Sequence, residues 1–163
     1  AGQLLDHAMI TFRTDHLERE DVNLMDLLQE LVLRLAPVAE MKDIILHIEG
    51  EDRVVVAADA ILLQNAIRNL IDNALKYSPV ESDITIRVTS HPGTRIEIRD
   101  QGPGFPPDQI ATLVSRFSRG DNAKGIIGSG LGLTIAQEVA EAHGGKLTLS
   151  NLPGGGACAT FSL

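Results

Sequence analysis

Three asparagines stand four residues apart in QNAIRNLIDNALKYSP, residues 64–79. In a helix Asn65, Asn69 and Asn73 share one line, with neighbours roughly 6 Å apart, and Lys76 lies beside it. Asparagine is a poor helix-interior residue because its amide competes for backbone hydrogen bonds. The row is either a solvated face or a polar wall that binds something, and the rest of the chain decides between them. Two glycine-rich stretches carry the rest of the chemistry. Asp100-Gln-Gly102-Pro-Gly104 leaves the end of a strand with a carboxylate at its head. Gly128-Ser-Gly130-Leu-Gly132-Leu133 runs directly into a helix, whose free N–H groups and dipole favour an anion such as phosphate. Glycine is entropically costly, so such loops usually serve a positive φ or the close approach of another group. Gly154 to Gly156 read as ordinary turn residues.

These groups need elements to hold them. Leu4, Leu5, Ala8, Met9 and Phe12 have helical spacing over residues 3–17. Asn23 is a plausible N-cap for a helix over 24–42, with Leu27, Leu28, Leu31, Leu35 and Val38 inward and Pro37 expected to kink or weaken its last turns. Residues 44–49 and 53–57 alternate as strands, and Asp59 caps the asparagine helix. That helix turns Ala66, Ile67, Leu70, Ile71, Ala74 and Leu75 to a core. Residues 84–90 and 94–100 form a hairpin through His91-Pro92-Gly93. A helix is expected over 107–117 and an aperiodic, mobile stretch over 118–127. A last helix over 133–143 stops at Gly144-Gly145, and strands follow at 146–150 and 157–163. His7, His16 and His47 read as surface or core-edge residues.

The chain of 163 residues fits one domain, and 44% apolar residues suffice for a core that 3% aromatics leave aliphatic. No run approaches the roughly 18–20 apolar residues of a membrane span. Asp6, His7, Arg13 and Asp15 interrupt any signal-peptide pattern. A single cysteine, Cys158, makes no internal disulfide, which suits a reducing cytoplasm. A formal net charge of −8 argues against nucleic acid as the main partner. It leaves room for a nucleotide, whose few charges a lysine, a metal and backbone amides can meet. The element order predicts an α+β fold: a two-layer sandwich of one mixed, mostly antiparallel sheet with helices on one face.

Among phosphate binders, a Walker loop is absent: no glycine lies five residues before Gly145-Lys146, and no Ser or Thr follows. The dinucleotide fingerprint lacks its spacing and its βαβ setting. Protein-kinase triplets, HExxH and cysteine clusters are missing too. Four blocks do stand in order: Asn69-Leu-Ile-Asp-Asn73-Ala-Leu-Lys76-Tyr77-Ser78; Asp100-Gln-Gly102-Pro-Gly104; Arg116-Phe117-Ser-Arg119-Gly120; and Gly128-Ser-Gly130-Leu-Gly132-Leu133. They resemble the asparagine box, first glycine box, phenylalanine box and second glycine box of bacterial sensor histidine kinases. That family is grouped with DNA gyrase, a heat-shock chaperone ATPase and mismatch-repair ATPases. Each block alone is weak, but all four at these spacings are specific.

The resemblance implies the Bergerat ATP-binding fold over residues 20–163, with 1–19 as the tail of a dimerisation or linker helix. It implies ATP and Mg2+ as ligands, and transfer of the γ-phosphate to a histidine on a separate dimerisation domain of the same protein. A response regulator receiver domain would be the next partner, in a homodimeric protein anchored in the bacterial inner membrane with this domain in the cytoplasm. By resemblance, Asn69 and Asn73 lie at the metal and phosphates, Lys76 meets a phosphate, and Tyr77 covers the adenine or ribose. Asp100 accepts from the adenine amino group, and Gly102 and Gly104 let the backbone pass close to the base. Phe117 belongs to the nucleotide site, and Arg119 reaches the terminal phosphate from a lid. Gly128, Gly130 and Gly132 wrap the phosphates while Leu131 and Leu133 close over the nucleotide.

ATP-hydrolysing relatives place a glutamate general base where this chain has Asn69, and an amide takes no proton at neutral pH. The family's acceptor motif, like H-E-x-R-x-P, matches neither His7 nor His16. Two alternatives remain open here: a serine kinase of the anti-sigma-factor type, and a nucleotide-binding domain without transfer activity.

Overall fold

A computed structural model describes residues 13–105, 110 and 129–163, with the backbone alone at 129–132. Most of the helix expected over 3–17, that over 107–117 and the stretch 118–127 lie outside the described residues.

The first strand, β1 (Glu20–Asn23), leads directly into helix α1 (Leu24–Met41), which Asn23 caps by accepting the Met25 N–H at 3.2 Å. The inward stripe of α1 is Leu24, Leu28, Leu31, Leu35 and Ala39. Val38, expected inward, is 47% exposed, because the inward position after Leu35 falls one helical turn on, at Ala39. The helix continues past Pro37 to Met41. Pro37 sits on the exposed side, where water can serve the Leu33 carbonyl that the ring leaves without a donor.

Strands β2 (Ile45–Glu49) and β3 (Val55–Ala58) precede helix α2 (Ala60–Tyr77), which carries the asparagine row. A hairpin of β4 (Asp83–Thr89) and β5 (Arg95–Arg99) follows, as expected. Helix α3 (Ser129–Ala142) and strands β6 (Lys146–Asn151) and β7 (Ala157–Ser162) complete the described fold.

Five strands form the main sheet in the order β2-β4-β5-β7-β6. Only β2 and β4 run parallel; the other three pairs are antiparallel. The mixed, mostly antiparallel sheet is therefore as predicted. A single sheet is not: β1 and β3 pair with each other as a separate antiparallel ribbon, Glu20 opposite Ala58. The four-residue β1 supplies β3 with a complete partner, extended by Leu24 N–H donating to Val54 C=O at 2.8 Å. Val22, Val54 and Ala58 bury the ribbon's inner side in the common core.

The sheet's inner face presents Ile84, Ile86 and Val88 from β4, Ile96 and Ile98 from β5, Leu147 and Leu149 from β6, and Phe161 from β7. The apolar stripes of the three helices cover it in one continuous core. The opposite face carries cross-strand polar pairs such as Arg87–Glu49 at 3.1 Å and His47–Asp83 at 3.0 Å. Two layers result, with the site on the helical side.

Candidate functional site

Helix α2 is pinned by its apolar stripe: Leu62, Leu63, Ala66, Ile67, Leu70, Ile71, Ala74 and Leu75 are all buried. That fixes its rotation, and rotation fixes where the asparagines stand. Asn65 and Asn69 each turn the amide nitrogen back to the carbonyl one turn earlier, onto Ile61 at 2.9 Å and Asn65 at 2.8 Å. Such a bond uses the donor and leaves Oδ1 of Asn69 as an acceptor. At Asn73 the geometry is more telling. Its Oδ1 is buried and has no hydrogen-bond partner among the described residues. A buried amide oxygen left unpaired costs roughly 1–3 kcal/mol, so such atoms are rare without a use. At the end of the row Lys76 is exposed, with Nζ 5.5 Å from the centre of the Tyr77 ring, itself 46% exposed.

Asp100 follows the last residue of β5 and is only 8% exposed. Its backbone N–H donates to Ala157 C=O at 2.9 Å. Its Oδ1 accepts from the Gly102 N–H at 2.8 Å and from the Ala157 N–H at 3.1 Å. One oxygen is thus consumed in orienting the carboxylate, which leaves Oδ2 as the one a ligand could use. Gly102 has no room for a side chain, since a Cβ there would lie 2.7 Å from the carbonyl oxygen of Tyr77. The first glycine loop therefore packs directly on the end of the asparagine helix. Gly104 adopts φ +83°, and a Cβ there would meet Asn151 Oδ1 at 2.8 Å.

Asn151 is a residue that sequence reasoning missed. At the end of β6 it grips Phe105 reciprocally, accepting its N–H at 2.7 Å and donating to its C=O at 2.6 Å. It thereby holds the glycine loop in place. A lone asparagine 46 residues from its partner gives no periodic signal.

Helix α3 packs beside α2. It begins at Ser129, four residues ahead of the expected start, so Gly130, Leu131 and Gly132 lie in its first turn rather than before it. The unpaired N–H groups of that turn remain the ones an anion would use. Leu133 is 4% exposed and belongs to the core. Phe117, Arg119 and Gly128 lie outside the described residues.

At its other end α2 is capped by Asp59, which accepts the Leu62 N–H at 3.2 Å. The same carboxylate takes the Glu18 N–H at 3.1 Å and the Arg13 Nε at 2.9 Å. Complete burial alone would push this carboxyl up, but the Glu18 N–H, the Arg13 guanidinium and the Leu62 N–H together hold it below the ordinary aspartate value. The Asp59 N–H donates to Nε2 of His143, next after α3, at 3.1 Å. Asp59 so ties the start of one site helix to the end of the other.

No cluster of three or more His, Cys, Asp or Glu among the described residues is placed to hold a metal ion. A hard cation that brings most of its ligands as phosphate oxygens and water fits with neutral amide oxygens, and the unpaired Asn73 Oδ1 is such a donor.

Residues 58–163 match the sequence pattern of the histidine kinase-, DNA gyrase B-, and HSP90-like ATPases. The chain belongs to that family. It is the ATP-binding catalytic domain of the bacterial histidine kinase type, as its four blocks suggested. The signal transduction histidine-protein kinase/phosphatase MprB of Mycolicibacterium smegmatis is 43% identical over 103 residues, 61% of this chain and 21% of that protein. Sensor protein QseC of Salmonella typhimurium is 32% identical over 170 residues, 99% of this chain and 36% of that protein. The chain thus spans about a fifth to a third of these relatives. The solved mycobacterial sensor histidine kinase MprB superposes with a TM-score of 0.74 at 29% identity, covering 90% of this chain and 97% of that one. No helix among the described residues is long and apolar enough to cross a membrane.

Proposed function

We propose that this ATP-binding domain transfers the γ-phosphoryl group of Mg·ATP to a histidine on a separate dimerisation domain of the same protein, for relay to a response regulator receiver domain. In this reading residues 20–163 would be the catalytic domain and 1–19 the tail of a dimerisation or linker segment. The domain works in the cytoplasm, in a homodimeric protein anchored to the inner membrane outside this chain. The observation that carries the reading is the Oδ1 of Asn73, buried with no partner among the described residues, one turn from Asn69 and one turn before Tyr77, whose carbonyl packs on Gly102 of the glycine loop.

Asn69 and Asn73 would hold the magnesium ion through amide oxygens. When bound, the ion neutralises charge on the β- and γ-phosphates. Lys76 binds a phosphate oxygen, and Tyr77 covers the nucleoside. Asp100 Oδ2 accepts from the adenine 6-amino group while Oδ1 keeps its two backbone donors. The first-turn N–H groups of α3 receive phosphate oxygens, and Arg119 draws on the terminal phosphate. In the transfer, the unprotonated nitrogen of the acceptor imidazole bonds to the γ-phosphorus. The bond from that phosphorus to the bridging oxygen breaks, and ADP leaves with its electron pair. Asn69 cannot take a proton from water, which disfavours hydrolysis.

The test is calorimetric and chemical. The wild-type chain should bind Mg·ATP and label a supplied histidine-bearing dimerisation domain of its own protein. Asn73→Ala should remain folded and lose both. Undiminished binding by that variant, or label passing to serine or to no acceptor at all, would refute the assignment.

A further inference from the structure

The last turn of α2 delivers Lys76 and Tyr77 to the site, and something must hold a helix end whose final carbonyls lack helical partners. The holder is Lys42, just past the end of α1. Its Nζ donates to the carbonyls of Leu75 at 2.8 Å and Ser78 at 2.6 Å, with Lys76 C=O at 3.4 Å. An ammonium has three donors, and here three carbonyls of one turn surround it at the negative end of the helix dipole. The carbonyl it does not take is that of Tyr77, which faces Gly102. The turn is thus clasped between a cation on one side and the first glycine loop on the other.

Lys42 is itself fixed. Its N–H donates to Ala39 C=O at 3.1 Å, and its C=O accepts the Glu81 N–H at 2.8 Å, so both chain directions around α2's end are tied to it. The buried Ala39 and Ile44 anchor the peptide segment that carries it. A lysine that merely snorkelled to solvent would keep its ammonium in water.

We infer that Lys42 is a positioning residue for the nucleotide site: it sets the last turn of α2 so that Lys76 and Tyr77 face the ligand, without touching the ligand itself. The inference rests on the nucleotide-binding reading above for its functional consequence, but not for its structural one.

Tyr77 is the only tyrosine, and tryptophan is absent, so tyrosine emission reports this turn alone. The experiment compares wild type, Lys42→Met and Lys42→Arg in three measurements: far-ultraviolet circular dichroism, Tyr77 fluorescence anisotropy without nucleotide, and Mg·ATP affinity. Lys42→Met keeps the aliphatic stem and loses the donors. It should retain the wild-type dichroism, show lower Tyr77 anisotropy, and bind ATP about tenfold more weakly. Lys42→Arg should recover most of both signals. Wild-type anisotropy in Lys42→Met would overturn the inference, as would unfolding of both variants, which would make the role purely structural. Should the methionine variant alone unfold, the arginine variant decides: anisotropy and affinity far below wild type in a folded protein would overturn a role for the cation. If wild type itself fails to bind ATP, the nucleotide reading falls, while the anisotropy comparison still judges Lys42.

Discussion

Asp59 offers the most quantitative test of how the site is built. Its side chain is fully buried and receives donors from three places: Leu62 N–H within α2, Glu18 N–H, and Arg13 Nε. Asp59→Ala removes the helix cap, worth about 1 kcal/mol. It also strands the Glu18 N–H, at roughly 1–2 kcal/mol for a partly buried donor. The sum is about 2–3 kcal/mol before anything is assigned to Arg13, or roughly 4–12 °C in Tm for a chain of this size. Asp59→Asn is the sharper variant. It keeps a capping oxygen but aims an NH2 group at the Arg13 and Glu18 donors, so it should lose most of the same stability despite equal volume. The pH dependence has a definite sign. The folded carboxyl sits below its ordinary value, so its contribution is fully present above the unfolded value near 3.9 and is lost as pH falls through the folded one. Urea unfolding of wild type and Asp59→Asn at pH 7 and at steps below pH 4 should therefore show curves that converge only on the acid side. A difference under about 0.5 kcal/mol at pH 7, or convergence already at pH 5–6, would refute the reasoning.

Two further substitutions probe the glycine loop. Asp100→Asn keeps the Oδ1 that accepts from Gly102 and Ala157, so the fold should hold, while Oδ2 becomes a donor. Preference for ATP over GTP should fall by about 10-fold or more in competition binding, because the amino group now faces a donor and the guanine carbonyl faces a partner; unchanged selectivity would count against the role. Gly104→Ala meets both a positive φ and the Asn151 side chain. It should lower stability by about 1–3 kcal/mol and weaken nucleotide binding, and a melting curve superposing on wild type would show the loop is more yielding than its geometry implies.

What could be read in advance follows how local each cause is. The Asp59 cap, the α2 stripe and the β4–β5 hairpin depend on neighbours a few residues away, and type and spacing reveal them. The asparagine row and Asp100 were visible because their residue types are improbable where they stand. Three things escaped. The ribbon of β1 and β3 is decided by which partner strand is free, and alternation within either strand does not say. Gly130 and Gly132 suggested a loop, yet the stripe of Leu133, Ala136 and Ala140 is buried along a helix that already begins at Ser129, so tertiary burial overrides glycine's poor propensity. Lys42 and Asn151 act across 33 and 46 residues. A single polar residue at the end of an element looks like any solvated residue until its distant partner is known.

These distant partners share one geometry. Helix α2 is 18 residues long; its apolar stripe fixes rotation about its axis, and the contacts at its two ends add to what opposes sliding along it. A slide of one residue would move the asparagine row by about 1.5 Å, enough to misplace a metal donor set. The two ends oppose that slide. At the start, Asp59 is tied to Arg13, Glu18 and, through its N–H, to His143 beyond α3. At the finish, Lys42 and Gly102 clasp the last turn from opposite sides. Between these anchors stands Asn73, its Oδ1 buried with no partner among the described residues. Substitutions at either end should therefore shift the asparagine row and alter ligand binding at the middle before they unfold the domain.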